Sequence, residues 1–346
     1  MLSNIDRQLI QTGAIRFFVA VLVFLGASYS ARADIKITEA LVLDSSRTYG
    51  FYIGQQYRLK QISEDFPSLS GEIKLAEMEF AVAFRSAIRN MDTLLTDAVG
   101  KQWKDIKKKT QAEVSENVGN NKLSKSEALQ FIETVRERAE GVLDSPVIET
   151  LLIFDPKYAK NPEQEFIDGY RYKYSSDGSG KAKGVPFSLE IPITWAASDG
   201  ERPNIVQKFV SENGRGLELL MVMVKDFPLE PGENITQEEI VEFIRSGEIQ
   251  DIVPEGGVYV DGGELMLEGA PGYWYKAEVE MKRLRDTVGL ELINYTIFLD
   301  NRFVSIMGQV LVSENGERIQ SENISNYEKL FDLVANSLVI PSVYSR

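Results

Sequence analysis

Glu278 and Glu280 stand two residues apart in GYWYKAEVEMKR, Gly272 to Arg283. In a strand that spacing puts both carboxyls on one face, about 6–7 Å apart, a separation that can serve glycoside hydrolysis. Lys276 and Lys282 flank them on the same face, and alternating signs along a strand describe a cross-strand salt-bridge ladder better than a catalytic pair. Trp274 is the odd residue in that charged row, while Tyr273, Tyr275, Ala277, Val279 and Met281 take the opposite face. Either a helix end or a loop covers the indole, or it is an exposed aromatic anchor with a polar rim, the form of an interface hot spot. Trp274 and Lys276 are therefore candidate partner-binding residues. Glu201 and Arg202, in a turn between strands in ASDGERPNIVQKF, join them, because loops on a rigid sheet often carry binding.

What the chain lacks narrows the chemistry further. It has no cysteine, which removes disulfides, thiol nucleophiles, thiolate metal sites and iron–sulfur clusters. It has no histidine, which removes the Ser-His-Asp triad, imidazole zinc ligation and the commonest general base near neutral pH. Any enzyme here would have to work with carboxylates, Lys, Tyr, Ser or Arg. GSGKAKG lacks the spacing of a phosphate-binding loop and the strand that precedes one. PLEPGENITQEE is acidic but lacks the alternating order of a calcium loop. No cofactor and no metal are expected.

The N-terminus gives a compartment. Arg7 and Arg16 precede the apolar run FFVAVLVFLGA, Phe17 to Ala27, and then SYSARAD. The run has the length of a signal-peptide core and is too short to span a membrane. Ala31-Arg32-Ala33 is an A-x-A cleavage site, so residues 1–33 are expected to be removed and the mature chain to begin at Asp34. Absent cysteines in an exported chain favour the bacterial periplasm. The net charge of −14 falls near −16 once three basic groups (Arg7, Arg16, Arg32) and one acidic group (Asp6) are removed. Such a surface repels nucleic acid and anionic lipid and suits a neutral or cationic protein partner. No stable membrane insertion is expected after cleavage.

The elements that would position these residues fall into two halves, as the 346-residue length suggests. Residues 34–156 read as a helical domain. Ile73, Ala76, Phe80, Phe84, Ile88, Met91 and Leu95 recur at helical spacing. Ser124 and Glu127 form a capping box ahead of a second stripe, Leu129, Ile132, Val135, Ala139 and Val142. KQWKDIKKKTQAEV is a basic helical stretch with a solvated lysine face, and shorter helices are expected at Gln55–Asp65 and Ser145–Phe154. Residues 157–183 read as a linker, within which Phe166–Tyr174 could pair as an edge strand.

Residues 184–346 change to strand periodicity. Phe187, Leu189, Ile191, Ile193 and Trp195 alternate onto one face, which makes Trp195 a core anchor. Leu217–Val224 is apolar on both faces and reads as a strand covered on both sides. Thr236 and Glu239 cap a helix. Strands follow at Val258–Leu267, Tyr273–Leu284, Leu290–Leu299 and Phe303–Val312, the last two joined by a tight Asp300-Asn301 turn. Ser325 and Glu328 are expected to cap a final helix. The fold class is α+β: an N-terminal helical domain followed by an α/β/α sandwich with a mainly antiparallel sheet.

FSLEIPITW at the start of this half, and GYWYKAEVEMKRLRDTVGLELINYTIFLDNRFVSIMGQV with its closing helix, resemble the PsbP-like and Mog-like fold. The resemblance covers roughly Gly184 to Val343, and nothing comparable places the helical half. It implies a protein-binding or accessory module and carries over no site residue. We therefore expect a periplasmic, non-enzymatic protein of the cell envelope that binds an envelope protein. The alternatives are a histidine-free carboxylate hydrolase acting on envelope polymers and a small-ligand carrier.

Overall fold

The computed structural model describes residues 35, 37–118, 122–142, 145–227, 235–283, 286–319 and 323–345. The expected signal peptide and cleavage site lie outside them, as does most of the acidic loop before Thr236. Contacts divide the described chain between Ala159 and Lys160 into two compact units, described separately. Among the described residues, no helix is long and apolar enough to cross a membrane.

The described elements of the first unit are all helices. Helix α1, Glu39–Asp65, begins at Thr38, whose hydroxyl accepts the Leu41 N–H at 3.2 Å. It is a 27-residue helix rather than the short Gln55–Asp65 segment expected. Its buried positions include Ser45, Thr48, Gly50, Gly54 and Gln55, and small or polar residues hide the apolar period that the eye follows. Helix α2, Ser70–Val99, buries Ile73, Ala76, Phe80, Phe84, Met91 and Leu95 as expected. In α3, Lys101–Val118, Trp103 is fully buried and its indole N–H donates to Asp92 Oδ1 at 2.8 Å. Lys107 donates to the same carboxylate, so one lysine of the basic run faces inward. Helix α4, Lys125–Ala139, has the Ser124–Glu127 capping box. Its buried stripe is Ala128, Phe131, Ile132, Val135 and Arg138, whereas Leu129 and Val142 are exposed. The true stripe is therefore offset by one position at its start and includes an arginine. Helix α5, Pro146–Ile153, starts on Ser145.

The second unit begins inside the stretch read as a linker. Helix α6, Pro156–Lys160, straddles the boundary; α7, Glu163–Ile167, and β1, Arg171–Ser176, follow it. Phe166 and Ala182 belong to the main core cluster, so residues 160–183 are ordered chain built into this unit. They looked like a linker because their Pro, Gly and Ser punctuation serves short elements. Strand β1 pairs antiparallel with β2, Phe187–Pro192, as a separate two-stranded ribbon.

The main sheet contains β3 (Ala196–Asp199), β4 (Ile205–Val210), β5 (Glu218–Asp226), β6 (Gly257–Leu267), β7 (Ala270–Arg283), β8 (Asp286–Leu299) and β9 (Arg302–Glu314), with a short β10 (Glu317–Arg318) beside β9. Their order is β3-β4-β5-β9-β8-β7-β6, and every pairing is antiparallel. Helix α8, Gln237–Ser246, opens with the Thr236–Glu239 capping box and covers β6 and β7 on one face. Helix α9, Ile324–Asn336, and the β1–β2 ribbon cover the other. This is the α+β class expected, with an antiparallel sheet between helical layers.

Two details position the core. Trp195 is buried and meets Phe331 of α9 edge-on at 6.1 Å. Beneath Phe331 lies Gly308 of β9, where a Cβ would stand 2.5 Å from the ring; the missing side chain lets the helix approach the sheet. Strand β5 buries Leu220, Val222 and Val224 and leaves Leu219, Met221 and Met223 half-buried, so only one of its faces is fully covered. The cap of α9 is Asn323, whose side chain accepts the Ser325 N–H at 2.8 Å. Ser325 and Glu328 lie inside the helix, and Glu328 is used elsewhere.

Candidate functional site

Trp274 sits on β7 opposite Gly263 of β6. Alternation puts it on the α9 face, with Lys276 two residues along. The indole is half-buried and packs against the main core cluster. Gly263 makes room for it, because a Cβ there would stand 3.0 Å from the indole Nε1. Lys276 lies 5.6 Å over the Trp274 ring and its Nζ reaches Glu328 of α9 at 2.6 Å. The lysine thus pins the helix to the sheet beside the tryptophan and is not the start of a ladder along its own strand. Glu278 and Glu280 are exposed. Opposite Glu278 across the sheet is Glu291, whose carboxylate accepts the Ile324 N–H at 2.9 Å and pairs with Arg318 at 3.2 Å. That carboxylate holds the first turn of α9.

Glu201 and Arg202 are exposed at the tip between β3 and β4, and Lys208 reaches Glu201 at 3.0 Å. Strand order sets β4 and β7 four steps apart, about 19 Å at 4.8 Å per strand. Trp274 and Lys276 are brought together; Glu201 and Arg202 are not brought to them.

The neighbour of Trp274 that the sequence left unread is the sheet edge itself. Strand β6 is terminal and eleven residues long, whereas the opposite terminal strand, β3, has four. A terminal strand keeps one side of its backbone N–H and C=O groups without a ladder partner. Along β6, Val258, Val260 and Met266 are 67%, 54% and 53% exposed. The register shifts between Tyr259 and Asp261, so Val260 has no residue opposite it. Val258 faces the Trp274 side and Met266 the α8 side, as their β7 partners Glu278 and Pro271 show. The sequence marks a strand at Val258–Leu267, but which strand ends a sheet depends on pairings distant in the chain.

A second cluster forms at the turn between β4 and β5. Glu212 and Asn213 are both left-handed, with φ of 50° and 55°, a conformation that disfavours side chains other than Gly, Asn and Asp. Ser211 donates to the buried Glu218 carboxylate. Burial pushes the Glu212 carboxyl up to about 7, the Glu218 charge adds to this, and Arg215 opposes it. Two neighbouring carboxyls are the raw material of acid–base chemistry. Here, however, Glu218 is buried and already holds Ser211, so the pair serves the turn.

No family model matches the chain, and no curated protein matches it. Solved structures do. Cyanobacterial PsbP (CyanoP) from Synechocystis sp. PCC 6803 is 13% identical, with 49% of this chain and 92% of that one covered and a TM-score of 0.32. The Ran-binding protein Mog1p of Saccharomyces cerevisiae is 12% identical, covering 50% and 97%, TM-score 0.31. LpqN of Mycobacterium tuberculosis, described as involved in cell envelope biogenesis, is 9% identical, covering 50% and 93%, TM-score 0.30. Each of these likenesses covers about half of this chain.

Proposed function

We propose that this chain is an exported, non-enzymatic accessory protein of the cell envelope whose sheet unit binds an extended segment of a protein partner along β6. The observation that carries this is the long terminal strand with exposed Val258, Val260 and Met266 beside Trp274. An added strand gains main-chain hydrogen bonds from the open edge, and its alternate side chains reach the apolar positions. Trp274 and Lys276 lie on the α9 face of the adjoining strand β7. The register shift and the exposed Asp261 discourage indiscriminate pairing of two copies. A net charge of −14 favours a neutral or cationic partner segment.

The test compares cross-linked adducts from the envelope of the producing cells for wild type, Val260→Lys, Trp274→Ala and the control Glu201→Gln. Adducts lost in Val260→Lys, weakened in Trp274→Ala and kept in Glu201→Gln support the reading. Adducts that survive in all variants remove β6 as the site.

A further inference from the structure

A groove of about 460 Å³ runs along the helical unit between α1 and α2, with Lys107 of α3 on its wall. Two chemistries line it. The first is aromatic. Tyr52 stacks on Phe80 at 6.4 Å and 13°, and Tyr49 meets the buried Trp103 edge-on at 5.7 Å. Gln111 donates to the Tyr49 hydroxyl at 3.1 Å, so these rings are held in place. The second is cationic. Arg85 and Arg89 lie one turn apart on α2, both exposed on the groove wall.

Neither guanidinium has an ion-pair partner among the described residues. Like charges at this spacing destabilise a helix, and a chain with 52 Asp and Glu had ample acidic residues with which to neutralise them. The other charges of the groove are placed differently. Lys107 is engaged with Asp92, whose carboxyl stays below its usual range because hydrogen bonds from Lys107 and Trp103 outweigh the effect of burial. Glu77 lies eight residues before Arg85 on α2, about 12 Å along the axis. The middle of the groove is therefore a net positive site over an aromatic floor, on an acidic protein.

We propose that this groove binds a small organic anion with a flat apolar body. Its carboxylate sits between Arg85 and Arg89, where two planar guanidiniums can each present paired donors. Its ring lies against the half-buried Tyr49 and Tyr52, the latter backed by the buried Phe80, and Gln56 offers a further polar contact from α1. The volume suits a ligand of one or two rings.

The test is calorimetric titration of the full mature chain with 2-naphthoate, using the uncharged 2-naphthamide as the matched probe. Wild type should bind naphthoate saturably with a Kd below about 1 mM and naphthamide at least about tenfold more weakly. Arg85→Gln/Arg89→Gln should lose about tenfold or more, as removal of a charge-assisted contact does. Lys101→Gln/Lys104→Gln, exposed lysines outside the groove lining, should bind as wild type does. Far-UV circular dichroism checks that the arginine variant keeps its helices. No saturable binding of naphthoate overturns the proposal. So does equal binding of both probes, or a naphthoate affinity unchanged in the arginine variant.

Discussion

Replacing Glu212 by Gln should change how the sheet unit responds to pH. In the fold, burial and the Glu218 carboxylate lift the Glu212 carboxyl from 4.5 to about 7. The folded state therefore holds this proton more tightly than the unfolded chain does. Below about pH 4.5 both states are protonated and the contribution to stability is fully present. As pH rises to about 7 the unfolded chain has released its proton while the fold retains it, so stability falls across that window and levels off above it. A shift of roughly 2.5 units corresponds to about 3 kcal/mol, an upper figure because the side chain is only partly buried. The window is unusually clean. With no histidine and no cysteine, few other groups change charge there apart from the chain's amino terminus. Urea unfolding followed by tryptophan fluorescence, at steps between about pH 5 and pH 8.5, measures the effect. Wild type should lose up to about 3 kcal/mol across the range while Glu212→Gln stays nearly flat and is the more stable protein at the alkaline end. A variant that falls as steeply as wild type, or a wild type with no slope, would refute the assignment of this proton to Glu212.

Iodide should quench only part of the tryptophan emission, because Trp103 and Trp195 are buried and Trp274 is half-buried; Trp274→Phe should abolish the quenchable fraction, and an unchanged Stern–Volmer plot would contradict this placement. Gly308→Ala should destabilise the sheet unit by about 1–3 kcal/mol in the same urea assay, since the new methyl meets the Phe331 ring. Asn323→Ala should cost about 1 kcal/mol as the loss of a helix cap, whereas Ser325→Ala should stay within about 0.5 kcal/mol.

Much of this architecture is legible in the sequence where a single period dominates. The stripe from Ile73 to Leu95, both capping boxes and the alternation of Phe187, Leu189 and Ile191 all mark elements that the structure contains. Legibility fails where burial uses the wrong kind of residue. The sequence marks helix α1 only from Gln55 onward because its first half buries Ser45, Thr48 and Gly50. The cap of α9 was misplaced by two residues because Ser325 and Glu328 copy a capping box that Asn323 preempts. The candidate site divides along the same line. Trp274 and Lys276 share a face because strand period is local, and that could be read. Their distance from Glu201 and Arg202, the exposure of β6 and the company of Glu212 and Glu218 depend on strand order or on a left-handed turn. Arg85 and Arg89 stand at helical spacing on α2, but their aromatic neighbours Tyr49 and Tyr52 come from the first half of α1, where the apolar period is hidden.

The central claim is that β6 is the docking edge, and site-specific photo-cross-linking tests it most directly. A photoreactive residue is placed at Val258 or Met266 of β6, or at Ser198 of β3, and irradiated in the producing cells. The account predicts a shared adduct from Val258 and Met266, on the two faces of the same strand, and none from Ser198 on the short opposite edge. Adducts from Ser198 alone, or none from β6 while the chain is folded and abundant, would contradict it.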